Sequence, residues 1–120
     1  MAAIRLTVKF EPQKLRAYNR NEAVMNLAFE NADGAKQYWC ECEIEVKPPL
    51  SLAGDKELNA GRTRVGIVKP AESKSKQVKL YTRPNNFPDS YSVGITTFVY
   101  DDDGTIAERL EQTESIACEG

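Results

Sequence analysis

Alternation with a period of two, broken repeatedly by turn signals, constrains this chain more than any other feature. Ile4, Leu6, Val8 and Phe10 alternate with Arg5, Thr7 and Lys9, and Val93, Ile95 and Val99 alternate with Ser92, Gly94 and Phe98. Successive side chains of a strand point to opposite faces, so each such segment has one apolar and one wetter face. No stretch carries the longer period of an amphipathic helix. An all-β fold of packed antiparallel strands is the expectation.

The turn residues divide the chain into about seven main strands. The first runs from Ile4 to Phe10, and Pro12, which lacks a ladder donor, suits a sheet edge or a strand that changes sheets. A short segment, Lys14 to Arg16, follows. Further strands are expected at Glu22 to Glu30, Tyr38 to Lys47, Thr63 to Val68, Gln77 to Thr82, Tyr91 to Tyr100 and Ile106 to Cys118. Asn31-Ala32-Asp33-Gly34 and Asp101-Asp102-Asp103-Gly104 read as reversals, because Asn, Asp and Gly tolerate positive φ. Leu50 to Ala60 reads as a short strand or irregular crossover, and polar Lys69 to Lys76 as a loop. Leu6, Val8, Leu27, Ile44, Val65, Val93 and Ile95 are the expected core, with Ile67 inward beside Val65.

At 120 residues the chain fits one domain, spanning 1–120. Strands in this order suit an immunoglobulin-like Greek-key β-sandwich, with a jelly roll or small barrel as the alternative. The segments AVMNLAFENADG (Ala23 to Gly34), LNAGRTRVGIV (Leu58 to Val68) and RPNNFPDSYSV (Arg83 to Val93) carry a family resemblance. They resemble immunoglobulin-like domains of the archaeal and bacterial adhesion or appendage type. In those domains a strand often ends in Asn and Gly, a Leu-x-x-Gly turn recurs, and Pro-x-x-Tyr-x-Val leads into a late strand. The resemblance implies a binding or spacer module with no inherited active site.

Sixteen Lys and Arg against eighteen Asp and Glu leave a net charge of −2, too balanced to point to nucleic acid. The most basic stretch, Arg62 to Lys79, is interrupted by Glu72 and lacks interleaved aromatics apart from Tyr81, so it reads as a solvated surface. No apolar run reaches the roughly 18 residues of a membrane helix, and the N-terminus lacks a signal-peptide pattern. A cytoplasmic protein is expected, or an extracytoplasmic one if the chain is a fragment.

Histidine is absent, which removes the usual general base near neutral pH and the usual zinc nitrogen ligand. Nucleophile and phosphate-loop motifs are missing as well. The three Asp before Gly104 read as a hairpin turn, since an EF-hand would need alternating ligands and flanking helices. No metal, cofactor or catalytic residue is expected. Cys40, Cys42 and Cys118 are odd in number and read as reduced, buried thiols, with a bridge from Cys118 to either of the others as the alternative.

The expected function is therefore a non-catalytic module contacting another protein or its own copies. A carbohydrate-binding accessory domain is the second class, and a small carboxylate-dependent hydrolase the third. If the Tyr38–Lys47 and Tyr91–Tyr100 strands are antiparallel neighbours, Trp39, Phe98 and Tyr100 converge on one outer patch. Glu41, Glu43 and Glu45 form an acidic row beside it, which disfavours phosphate and favours a protein or sugar partner.

Overall fold

The computed structural model describes residues 3–120 and is all-β. Its strands are β1 (Ile4–Glu11), β2 (Lys14–Arg16), β3 (Asn21–Asn31), β4 (Tyr38–Val46), β5 (Leu50–Ser51), β6 (Ala60–Val68), β7 (Ser73–Thr82), β8 (Asp89–Tyr100) and β9 (Ile106–Glu119). The expected seven become nine because β2 and the two-residue β5 each pair in their own right. One sheet has four strands in the order β1-β3-β7-β5, and the other five in the order β2-β9-β8-β4-β6. The chain passes between sheets at Pro12: β1 pairs with β3, while β2 pairs in parallel with β9. All other pairings are antiparallel.

Both sheets contribute to one apolar core. Met25, Leu27, Phe29 and Leu80 come from the four-stranded sheet, and Cys40, Ile44, Val93, Ile95, Val99 and Ile116 from the five-stranded one. Their alternation follows from the pleat, and Thr97 keeps the pattern by meeting the Cys42 thiol at 3.4 Å. Of the expected core, Leu27, Ile44, Val93 and Ile95 are buried, whereas Leu6, Val8 and Val65 are only half-buried. Those three lie on β1 and β6, each an edge strand of its sheet, where one flank has no neighbour to close over it. Cys40, Cys42 and Cys118 are free thiols, all buried.

Two segments differ from their expected form. Ser73 to Lys76 is strand, paired with Leu27 to Glu30 of β3. A strand with a free edge and a solvated face can be built from Ser and Lys, and such lysines discourage edge-to-edge pairing. β6 begins at Ala60 rather than Thr63. Between Leu50 and Ala60 the expected short strand is β5, and it runs into a tight loop organised by Ser51, whose Oγ donates to the Lys56 carbonyl at 2.8 Å and accepts from Leu58 N–H at 2.9 Å. The Asp101 to Gly104 reversal closes as expected, with Gly104 N–H donating to the Asp101 carbonyl at 3.0 Å and Gly104 at φ +82°.

Candidate functional site

The outer face of the five-stranded sheet is ordered in transverse rows, because residues paired across antiparallel strands stand on the same side. Trp39 pairs with Ile67 of β6 on one flank and Tyr100 of β8 on the other, and Tyr100 pairs with Ile106 of β9. The result is an apolar row of four residues across four strands. The Trp39 and Tyr100 rings pack with centroids 5.1 Å apart and planes tilted by 54°, the spacing of a favourable aromatic pair. Both rings are half-buried, while Ile67 and Ile106 at the two ends are 43% and 54% exposed.

The next row is Arg64, Glu41, Phe98 and Arg109, and the one after it Arg62, Glu43, Thr96 and Glu111. Phe98 therefore does not extend the aromatic pair as an open ring. The guanidinium carbons of Arg62 and Arg109 lie 5.6 and 5.8 Å from its centroid, within cation–π range. Arg62 also bonds Glu41 at 3.2 Å and pairs closely with Glu43. The hydrogen bond to Glu43 is the chief reason its guanidinium is held above the usual arginine range.

The acidic row is thus altered in character. Glu41 is buried, only 7% exposed, because Arg62 and the neighbouring side chains cover it. Glu43 shares the same arginine, and Glu45 stands exposed without an ion-pair partner among the described residues. Beyond Glu43 the face sinks into an open hollow of about 690 Å³, since Gly94 and Ala60, the partners of Glu45 on either side, project little.

Ile67 and Ile106 were not expected on this face. Regular alternation puts Ile67 inward with Val65, yet the β4–β6 register shifts between Cys40 and Glu41, leaving Val65 unpaired. The bulge sits at Gly66, whose φ of +93° other residues rarely adopt, and it rotates Ile67 to the outer face. A lone glycine inside a strand pattern is the sequence signal for such a bulge. A second register shift, between Val99 and Tyr100, brings Ile106 opposite Tyr100.

The buried thiols add no reactive centre. Burial pushes the Cys40 thiol up to about 12, and Cys42 and Cys118 are raised by the same cause, so none is poised as a nucleophile. Among the described residues no three Cys, Asp or Glu gather as a metal site, and no helix is long and apolar enough to cross a membrane.

No known family pattern and no curated protein matches the chain. Solved structures do match. An alkylpurine DNA glycosylase of Pseudomonas fluorescens, bound to DNA containing an abasic site analog, is 11% identical with a TM-score of 0.51. The match covers 99% of this chain but only 31% of the glycosylase. A CARDB domain from Pyrococcus furiosus, in complex with di-metal ions, is 15% identical with a TM-score of 0.54, covering 98% of this chain and 90% of that one. BslA, a bacterial hydrophobin, is 7% identical with a TM-score of 0.55, covering 100% and 98%. At such identities the likeness is one of all-β fold, carried by proteins of diverse roles.

Proposed function

We propose that the chain is a non-catalytic, immunoglobulin-like binding module that contacts another protein or its own copies through the outer face of its five-stranded sheet. The sandwich reading draws support from two sheets sharing one core, the passage between sheets at Pro12, and the likeness to a CARDB domain. The apolar row Ile67, Trp39, Tyr100 and Ile106 carries the functional reading. A contiguous apolar strip bordered by charged side chains has the anatomy of a contact surface, and Trp, Tyr and Arg are the residues most often found at interface hot spots.

Ile67 and Ile106 give the cleaner test, because they are exposed whereas the two rings are half-buried. Ile67→Ser with Ile106→Ser should weaken self-association, read as mass in solution, or capture of a protein partner, by tenfold or more. Thermal unfolding should hardly move. Trp39→Ser with Phe98→Ser should weaken association at least as much. A monomeric wild-type protein whose partner capture survives both pairs of substitutions would refute the proposed face.

A further inference from the structure

A second concavity, of about 280 Å³, lies where β3 begins and β7 ends, on a different part of the molecule. Pro48, Pro49 and Leu50 give it apolar lining, and Tyr81 contributes an aromatic ring. Gly54 lies close against that ring: a Cβ at this position would stand 3.2 Å from Tyr81 Cε1. Arg20, Lys56 and Arg83 complete the basic part of the lining, with Glu22 and Glu57 as its carboxylates.

Two polar side chains hold the walls in place. On one wall Ser51 Oγ bonds the Lys56 carbonyl and accepts from Ala53 and Leu58 N–H, closing the loop that carries Lys56. On the other wall Asn86, fully buried, donates to the Arg83 carbonyl at 2.6 Å and the Asn19 carbonyl at 2.8 Å, and accepts from Tyr18 N–H at 2.9 Å. The backbones flanking Arg20 and Arg83 are thereby fixed to each other. A cleft whose walls are held before binding loses less ordering entropy when it is filled.

Charge narrows the occupant. Glu22 is engaged by Lys79 at 3.3 Å. Among the described residues Arg20, Lys56 and Arg83 form no ion pair, and Glu57 is the one other lining carboxylate. Three free cations against one free carboxylate match a group of about −2, the charge of a phosphate monoester near neutral pH. The volume falls just below the range usual for drug-sized ligands, which suits nothing larger than a single ring with its phosphate. Tyr81 supplies the aromatic surface for that ring.

We propose that this cleft binds a small ring-bearing phosphate monoester, with the ring against Tyr81 and the phosphoryl oxygens among Arg20, Lys56 and Arg83. The proposal stands apart from the sheet-face reading, since it uses none of the same residues. Amide NMR titration with phenyl phosphate, and separately with inorganic phosphate, tests it. Saturable shifts are expected at Gly54, Tyr81 and Arg83, with phenyl phosphate binding at least tenfold more tightly than inorganic phosphate. Arg20→Gln with Arg83→Gln should raise the phenyl phosphate Kd at least tenfold, and Lys56→Gln alone should raise it several-fold should the double variant fail to fold. Absence of saturable shifts at those amides, equal affinity for the two probes, or an unchanged Kd in the substituted protein would overturn it.

Discussion

β8 and β1 are written in the same alternating code, yet they meet different fates. Val93, Ile95 and Val99 of β8 are buried, whereas on β1 only Ile4 is buried and Leu6, Val8 and Phe10 remain half-buried. β8 has β4 on one side and β9 on the other, so its inward side chains are flanked on both sides. β1 is an edge strand with β3 alone as neighbour. Alternation thus assigns a side chain to a face, and the presence of strands on both sides helps that face leave water. The hydrophobic stabilisation follows the area removed from water, so the two strands should differ in energy even where their residues look alike.

The strongest test of this contrast is Ile95→Ala, which should cost about 2 to 5 kcal/mol because the surrounding core cannot collapse fully into the space. Urea unfolding would read it as a lower midpoint with an unchanged slope. A loss below about 0.5 kcal/mol would mean that central position confers no special burial. The central strand β4 provides a pH test of the same idea. Burial raises the Cys40 thiol to about 12 and raises Cys42 as well, against an ordinary thiol near 8.5. The unfolded chain therefore releases these protons first as pH rises. This contribution to stability is complete below about pH 8.5 and is lost progressively towards pH 12. Replacing both with Ala should flatten the alkaline fall in the urea midpoint, and an equally steep fall would show that the thiols are not sheltered in the core.

The contrast also marks what sequence reading can reach. Faces of β3, β4 and β8 were legible because their apolar periods are uninterrupted, and the β4–β8 pairing expected from the immunoglobulin-like order is present, with Trp39 opposite Tyr100. Strand order at the edges was not legible, since nothing in a period of two says which strand lacks a neighbour. Polar Ser73 to Lys76 concealed the start of β7 because a solvated edge strand needs no apolar residues. At the candidate face, Trp39 and Tyr100 could be found by parity, but Ile67 could not while the bulge at Gly66 went unrecognised. The covering of Glu41 by Arg62 depends on β6 lying beside β4, a long-range fact that local patterning does not contain.

Val8→Ala sharpens the comparison from the other side. The substitution removes about two methylenes from a half-buried site, so about 0.5 to 1 kcal/mol is expected, well below the Ile95 value. A cost equal to that of Ile95→Ala would show that β1 is covered in solution, by a partner strand or a second copy of the chain.

The smallest effect should come from Lys14, where β2 meets β9. Its ammonium lies 3.1 Å from Glu119, and both side chains are about three-fifths exposed, at 62% and 59%. An ion pair so open to water is worth little, because solvent screens the attraction and two long side chains lose freedom in making it. β2 has other reasons to stay: Leu15 is 2% exposed, Ala17 is 4% exposed, and Ala17 N–H donates to the Glu119 carbonyl at 2.8 Å. Lys14→Met should therefore change stability by less than about 0.5 kcal/mol at ordinary salt, and raising the salt should shift wild type and variant alike. Leu15→Ala should cost more than Lys14→Met, since it strips a buried side chain from the same three residues. If the order were reversed, β2 would be held by charge rather than by burial.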